Sequence, residues 1–190
     1  MTIGFAVCGS FCTFEKAFPI AESLAKNHTV IPIFSPAAYA TDTRFGLAGE
    51  HIRRMTQICG VPPMHTLTEV EPIGPKKMLD ALVIAPCTGN TLAKLSHGIA
   101  DTAVTMAAKS HLRNSRPLVI GISTNDGLSG AAKNIGKLLN RKNFYFIPFG
   151  QDDPQRKPFS LVADFSLLLD TVDAALQGTQ LQPVLRSAAR

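Results

Sequence analysis

No apolar run in this 190-residue sequence approaches the roughly 20 residues that a membrane-spanning helix requires. The N-terminus lacks the basic, apolar and small-residue regions of a secretory signal, so the expectation is a cytosolic protein. Cysteine is sparse. Cys8, Cys12, Cys59 and Cys87 are scattered and match no metal-ligand spacing, which predicts free thiols and no metal site. Lys and Arg form no block interleaved with aromatic residues, so the net charge of +5 gives no sign of a nucleic-acid partner. That mild charge suits anionic small molecules or a more acidic protein partner. Internal repeats and low-complexity segments are absent as well.

What is present is apolar. A 45% share of apolar residues is ample for one buried core. The expected organisation is a single domain over residues 1–180 and a C-terminal tail over 181–190. Apolar runs at 3–8, 30–34, 81–84, 117–122 and 144–147 read as buried strands. Helical spacing is found over 15–26, 49–59, 102–113, 129–139 and 161–176. A further helix follows the third strand, with Leu92, Leu95 and Ile99 on one side. Residues 60–80 are proline-rich and read as a loop with short helical pieces. Strands alternating with helices predict an α/β fold with a parallel sheet covered on both faces.

The stretch from Ala85 to Lys94 organises the rest. A buried strand ends in Pro86, a polar turn follows, and a helix begins. Open α/β sheets place ligands beyond the carboxyl ends of their strands, where helix N-termini present free N–H groups. The turn is rich in hydroxyls and amides and holds no acid, which suits an anionic or heteroaromatic ligand. Thr88 and Asn90 are also ordinary helix caps. Because Thr88 already offers a capping oxygen, Asn90 is left free for a ligand. After the first strand, Gly9 permits close backbone approach while Ser10 and Thr13 add hydroxyls. The sequence Gly9-Ser10-Phe11-Cys12-Thr13 lacks two glycines of the G-x-G-x-x-G fingerprint, so a monophosphate fits better than a dinucleotide.

Ala85-Pro86-x-x-x-Asn90-Thr91-x-Ala93-Lys94, continuing to Gly98-Ile99-Ala100-Asp101, resembles the signature of the FMN-binding, cysteine-decarboxylase-like flavoprotein superfamily. The resemblance implies a Rossmann-like (flavodoxin-like) doubly wound parallel sheet with helices on both faces, and a trimer-based homo-oligomer. It implies FMN as cofactor, its phosphate near Gly9, Ser10, Thr13 and Ser35, with Pro86, Cys87, Thr88, Asn90 and Ser123 lining the remainder. A closer resemblance spans nearly the whole chain. Thr43-Arg44-Phe45-Gly46, Pro72-x-Gly74-Pro75-Lys76-Lys77, Gly121-Ile122-Ser123-Thr124-Asn125-Asp126 and Ile147-Pro148-Phe149-Gly150-Gln151-Asp152-Asp153-Pro154 are similar to the family of dipicolinate synthase B subunits. So is Leu181-Gln182-Pro183-Val184-Leu185.

That second resemblance implies an oxidoreductase of sporulation in the mother-cell cytosol. With a separate dipicolinate synthase A subunit it would oxidise dihydrodipicolinate to dipicolinate. NAD(P) would enter only through that partner. Asn90, Asn125 and Arg44 are the candidates for substrate contact, Arg44 because a guanidinium meets a carboxylate bidentately. Decarboxylating relatives carry Pro-x-Met-Asn where this chain has Ile122-Ser123-Thr124-Asn125, keeping only the Asn. Two alternatives stand beside this reading: an FMN-dependent decarboxylase of a cysteine-derived or similar carboxylate, and a non-enzymatic scaffold protein. His51 and His65 lie in the region of the decarboxylase histidine without aligning to it. His97 and at least one of Lys76 and Lys77 read as structural or surface residues. Cys87 has no adjacent His or acid to activate it. The loop 150–154 reads as an oligomer or partner contact, or as a capped surface loop.

Overall fold

The computed structural model describes residues 1–187. The last three positions of the expected tail, 188–190, lie outside it. In chain order the elements are β1 (Thr2–Val7), α1 (Phe14–Ala25), β2 (Thr29–Phe34), α2 (Pro36–Ala40), α3 (Ala48–Cys59), α4 (Leu67–Val70) and β3 (Ala81–Cys87). There follow α5 (Gly89–His97), α6 (Ala103–Leu112), β4 (Leu118–Thr124), α7 (Ala132–Leu139) and β5 (Phe144–Phe146). Two short strands, β6 (Phe149–Gly150) and β7 (Leu161–Ala163), precede α8 (Leu168–Leu176).

Strands β2-β1-β3-β4-β5 form a parallel sheet in that order. This is the flavodoxin-like winding expected above. Its strands are buried on both faces, which is why they read as unbroken apolar runs rather than alternating ones. Helix α1 packs with α3 and α8, while α5 packs with α6 and α7. The largest buried side chains include Phe5, Phe14, Phe18, Phe34 and Phe146. Phe14 and Phe18 stack at 5.2 Å, so α1 carries an aromatic seam onto the sheet.

Several expectations need correction. The sheet is mixed: the far end of β4 pairs antiparallel with β7, which pairs antiparallel with β6. Leu161 to Ala163, read as the start of the last helix, is therefore a strand, and α8 begins at Leu168. Three residues are too few for a period to declare itself. Strand β3 runs on to Cys87 and takes Pro86 with it. Ile99 is not on the α5 face. Gly98 ends the helix in the left-handed region at φ 73° and turns Ile99 out to 48% exposure. Ser35 caps an additional short helix, α2, through Ala38 N–H at 3.2 Å.

Segments outside the strands lie along the sheet's margins. Met64 exchanges backbone hydrogen bonds with β2, Phe34 N–H to its carbonyl at 2.8 Å and its own N–H to Pro32 at 2.9 Å. The side-chain amide of Gln180 does the same for Phe146, accepting at 2.7 Å and donating at 2.7 Å. The expected tail is partly docked. Phe149 N–H donates to Val184 at 3.0 Å, Arg186 N–H donates to Phe149 at 2.8 Å, and the Arg186 guanidinium lies 3.4 Å from Asp164.

Two glycines should respond oppositely to alanine. A Cβ at Gly74 would sit 2.6 Å from the Ser110 carbonyl oxygen on α6, a backbone atom that cannot swing away. Gly74→Ala is expected to cost about 1–3 kcal/mol by urea unfolding. Gly136 lies inside α7 with open space around it. Gly136→Ala should stabilise by about 0.5–1 kcal/mol in the same assay.

Candidate functional site

The chain leaves β1 toward β2 on one side and later enters β3 on the other, so the winding reverses between β1 and β3. At such a reversal the connecting segments diverge and leave a crevice at the carboxyl ends of the strands. Two grooves fill it here, and both are lined by Gly9 after β1 and Thr88 after β3.

The first groove, about 400 Å³, runs from the β1 turn across the end of β4 to the loop before β7. Its floor is a hydroxyl cluster. Ser10 Oγ lies 2.7 Å from Ser123 Oγ, and Thr13 Oγ1 lies 3.4 Å from the same atom and donates to the Ser10 carbonyl at 2.6 Å. Asn125 stands at the rim, exposed. The groove also receives Lys16 from α1, and Asp152, Lys157 and Ser160 from the loop between β6 and β7. Lys157 Nζ donates to Asp152 Oδ2 at 3.1 Å, which raises the ammonium above its ordinary pKa. Burial pushes the Asp152 carboxyl up, but hydrogen bonds from Ser160 and Lys157 outweigh it and hold the group below its usual range.

The second groove, about 440 Å³, lies between the β1 turn, the start of α2 and the start of α5. Thr88 is the α5 cap, its hydroxyl accepting from Thr91 N–H at 3.4 Å. Asn90 is exposed on the first turn, lines the groove, and makes no side-chain hydrogen bond among the described residues. Ser35 lines the same groove beside Ala37. A Cβ on Gly9 would come within 3.1 Å of the Ala37 methyl, so the two turns nearly touch. Lys94 reaches both Asp101 oxygens, at 2.8 and 2.9 Å, and these bonds lower the Asp101 pKa.

Of the residues singled out in the sequence, Gly9, Ser10, Thr13, Thr88, Ser123 and Asn125 meet in the first groove. Gly9, Ser35, Thr88 and Asn90 meet in the second. Three do not reach either. Pro86 and Cys87 are buried inside β3, leaving only Thr88 beyond them exposed to the crevice. Arg44 sits on an exposed two-residue hairpin, where Thr43 and Gly46 exchange backbone bonds at 3.1 Å and its guanidinium lies 4.8 Å over Phe45. Lys16, Asp152 and Lys157 are the charged residues of the first groove, none of them a sequence candidate for the site.

Cys8 lines the second groove, and its thiol is held below its ordinary range by hydrogen bonds from Cys87 and from Thr91 Oγ1, the latter at 3.2 Å. Cys87 is buried below the crevice, where burial pushes its thiol well up. A thiolate nucleophile is therefore unsupported at Cys87. His51 and His65 line neither groove. His51 packs edge-on against Phe14 at 4.9 Å, and His65 stacks on Tyr39 at 3.7 Å. No group of three metal-ligating side chains exists among the described residues, and no described helix is long and apolar enough to cross a membrane.

The donor set fits a phosphorylated heteroaromatic ligand: hydroxyls from three turns, a free amide at each end, and a helix N-terminus at the join. Comparison with known proteins agrees. The model of the Flavoprotein family matches residues 1–165. The B subunit of dipicolinate synthase from Bacillus subtilis (strain 168) is 45% identical over 184 residues, covering 96% of this chain and 92% of that protein. The crystal structure of the dipicolinate synthase B subunit from Bacillus halodurans C superposes with a TM-score of 0.91 at 45% identity, over 99% of this chain and 97% of that one. An FMN-dependent cysteine decarboxylase shares the fold at a TM-score of 0.67 and 21% identity, over 94% and 97% of the two chains.

Burial depresses the His51 and His111 imidazoles below their ordinary value of 6.5. The unfolded chain therefore takes up protons first, and stability should fall as pH drops below about 6.5. Urea unfolding at pH 7.5 and pH 5.5 should show that loss, and His51→Gln should make the pH dependence shallower.

Proposed function

The chain belongs to the flavoprotein family, among the dipicolinate synthase B subunits, and on that footing we propose that it binds FMN. With a separate A subunit of the synthase, it oxidises dihydrodipicolinate to dipicolinate (pyridine-2,6-dicarboxylate). The observation that carries the reading is the donor-lined crevice at the β1/β3 reversal, in a chain 45% identical to a dipicolinate synthase B subunit. Gly9, Ser10, Thr13 and Ser35 would hold the phosphate, and Thr88 and Asn90 the heteroaromatic part, with Ser123 and Asn125 toward the substrate. When bound, FMN supplies a two-electron acceptor. The substrate becomes aromatic on losing two hydrogens, so the protein need only orient it and shield the reacting face from water. Any nicotinamide enters through the partner, because the first turn lacks the fingerprint glycines. The setting is the cytosol of a sporulating mother cell, and the working form a trimer-based homo-oligomer. The decarboxylase alternative rests on fold neighbours alone. Purified protein with FMN and the synthase partner should generate the ultraviolet absorbance of a pyridine dicarboxylate and release no carbon dioxide. The converse result would favour the decarboxylase.

Two substitutions test the residue roles. Ser10→Ala removes one charge-assisted hydrogen bond to phosphate and should weaken FMN by about tenfold to a hundredfold in a fluorescence titration. Ser10→Asp should do worse through like-charge repulsion. Asn90→Asp leaves the Thr88 cap in place but brings a charge and no N–H donor. It should melt at the wild-type temperature and lose flavin binding or partner-dependent activity. Full activity would remove Asn90 from the site.

A further inference from the structure

The first groove carries two ammonium groups from unrelated elements, Lys16 on α1 and Lys157 on the loop between β6 and β7. Nothing in the fold accounts for Lys16. It sits in the first turn of α1, where the helix dipole disfavours a cation. Its neighbour Glu15 is taken by Arg54 at 2.8 Å, and Lys16 itself joins no ion pair among the described residues. Lys157, by contrast, is held in place. The loop is bonded to itself through Lys157 N–H to the Asp153 carbonyl at 2.8 Å and Gln151 Nε2 to the Pro158 carbonyl at 2.8 Å. The Asp152 contact then keeps the ammonium at the groove. Two lysines against the single carboxylate of Asp152 leave the lining one positive charge in excess, above a floor of hydroxyl donors. Arg44, the other candidate for carboxylate recognition, is on a hairpin outside the groove.

We propose that Lys16 and Lys157 are the substrate-specificity residues of the groove, each recognising one carboxylate of a planar dicarboxylate that lies toward Ser123 and Asn125. The assignment rests on the function proposed above. Two separated ammonium groups select for two carboxylates on one ring, since an analogue lacking either leaves a lysine without its partner. Lys16 contributes attraction without holding any structure, whereas Lys157 also holds the loop through Asp152.

The test uses the full chain with FMN and the synthase partner, and titrates pyridine-2,6-dicarboxylate and pyridine-2-carboxylate by calorimetry. Lys16→Gln should weaken pyridine-2,6-dicarboxylate by about tenfold to a hundredfold. It should change pyridine-2-carboxylate much less, and leave the melting temperature, FMN and riboflavin affinities unchanged. Lys157→Gln should weaken the dicarboxylate similarly, and Lys16→Arg should restore most of the affinity. In turnover, Lys16→Gln should raise KM more than it lowers kcat. Wild-type binding that both glutamine variants retain would overturn the lysine assignment and leave the proposed function standing. A selective loss of FMN relative to riboflavin would overturn it differently, by assigning the lysines to the cofactor phosphate. If the wild-type complex binds no dicarboxylate, the proposed function itself fails and the lysine assignment falls with it.

Discussion

The last rung between β1 and β3, Cys8 N–H to the Pro86 carbonyl at 3.1 Å, is the point on which the site depends. Up to that bond the two chains are locked side by side. Beyond it one bends into Gly9 and Ser10, the other into Thr88 and Asn90, and the space between them is the crevice. Burying Pro86 and Cys87 in the sheet fixes where the divergence begins, so these residues shape the site from beneath. Cys8 and Cys87 then serve as small apolar filler under the join.

The walls are brought together across long separations. Ser10 and Ser123, 113 residues apart, meet at 2.7 Å because β1 and β4 flank β3 in one parallel sheet. Gly89 shows how tight the closure is. A Cβ there would lie 2.7 Å from Asp126 Oδ1 and 2.8 Å from Thr124 Oγ1, so any side chain at the start of α5 would have to displace these two groups. The turn from Ala85 to Lys94 holds no acid of its own, yet the fold sets Asp126 beside its helix N-terminus, where a carboxylate is favoured.

This closure also explains what can be read from the chain before it folds. The five parallel strands are legible because a strand buried on both faces writes itself as an apolar run, and the turns beyond them because Ser, Thr and Gly sit at fixed places after each run. Ser10, Ser35, Thr88, Asn90 and Asn125 are chosen on that logic, and the fold sets them along the two grooves. Arg44 lies outside both grooves, since a turn near the end of β2 can still be carried away by a hairpin. Strands β6 and β7 escape it because two or three residues carry no period, and they depend on the exposed end of β4 for partners. Lys16, Asp152 and Lys157 have no local signal at all. Asp152 and Lys157 meet locally within one loop, but their meeting with Lys16 is a property of tertiary closure.

Each margin of the sheet is met at one or two residues from within the same chain. Met64 occupies the free side of β2, the Gln180 amide stands in for a strand beside β5, and Val184 with Arg186 covers β6. A row of unpaired backbone groups is a template for adding a foreign strand, and here each row is interrupted from within the same chain. Copies of this protein, or a partner, are thereby steered away from joining by sheet extension. Association is left to side chains on helices and loops, where shape and charge can be specific and the contact reversible.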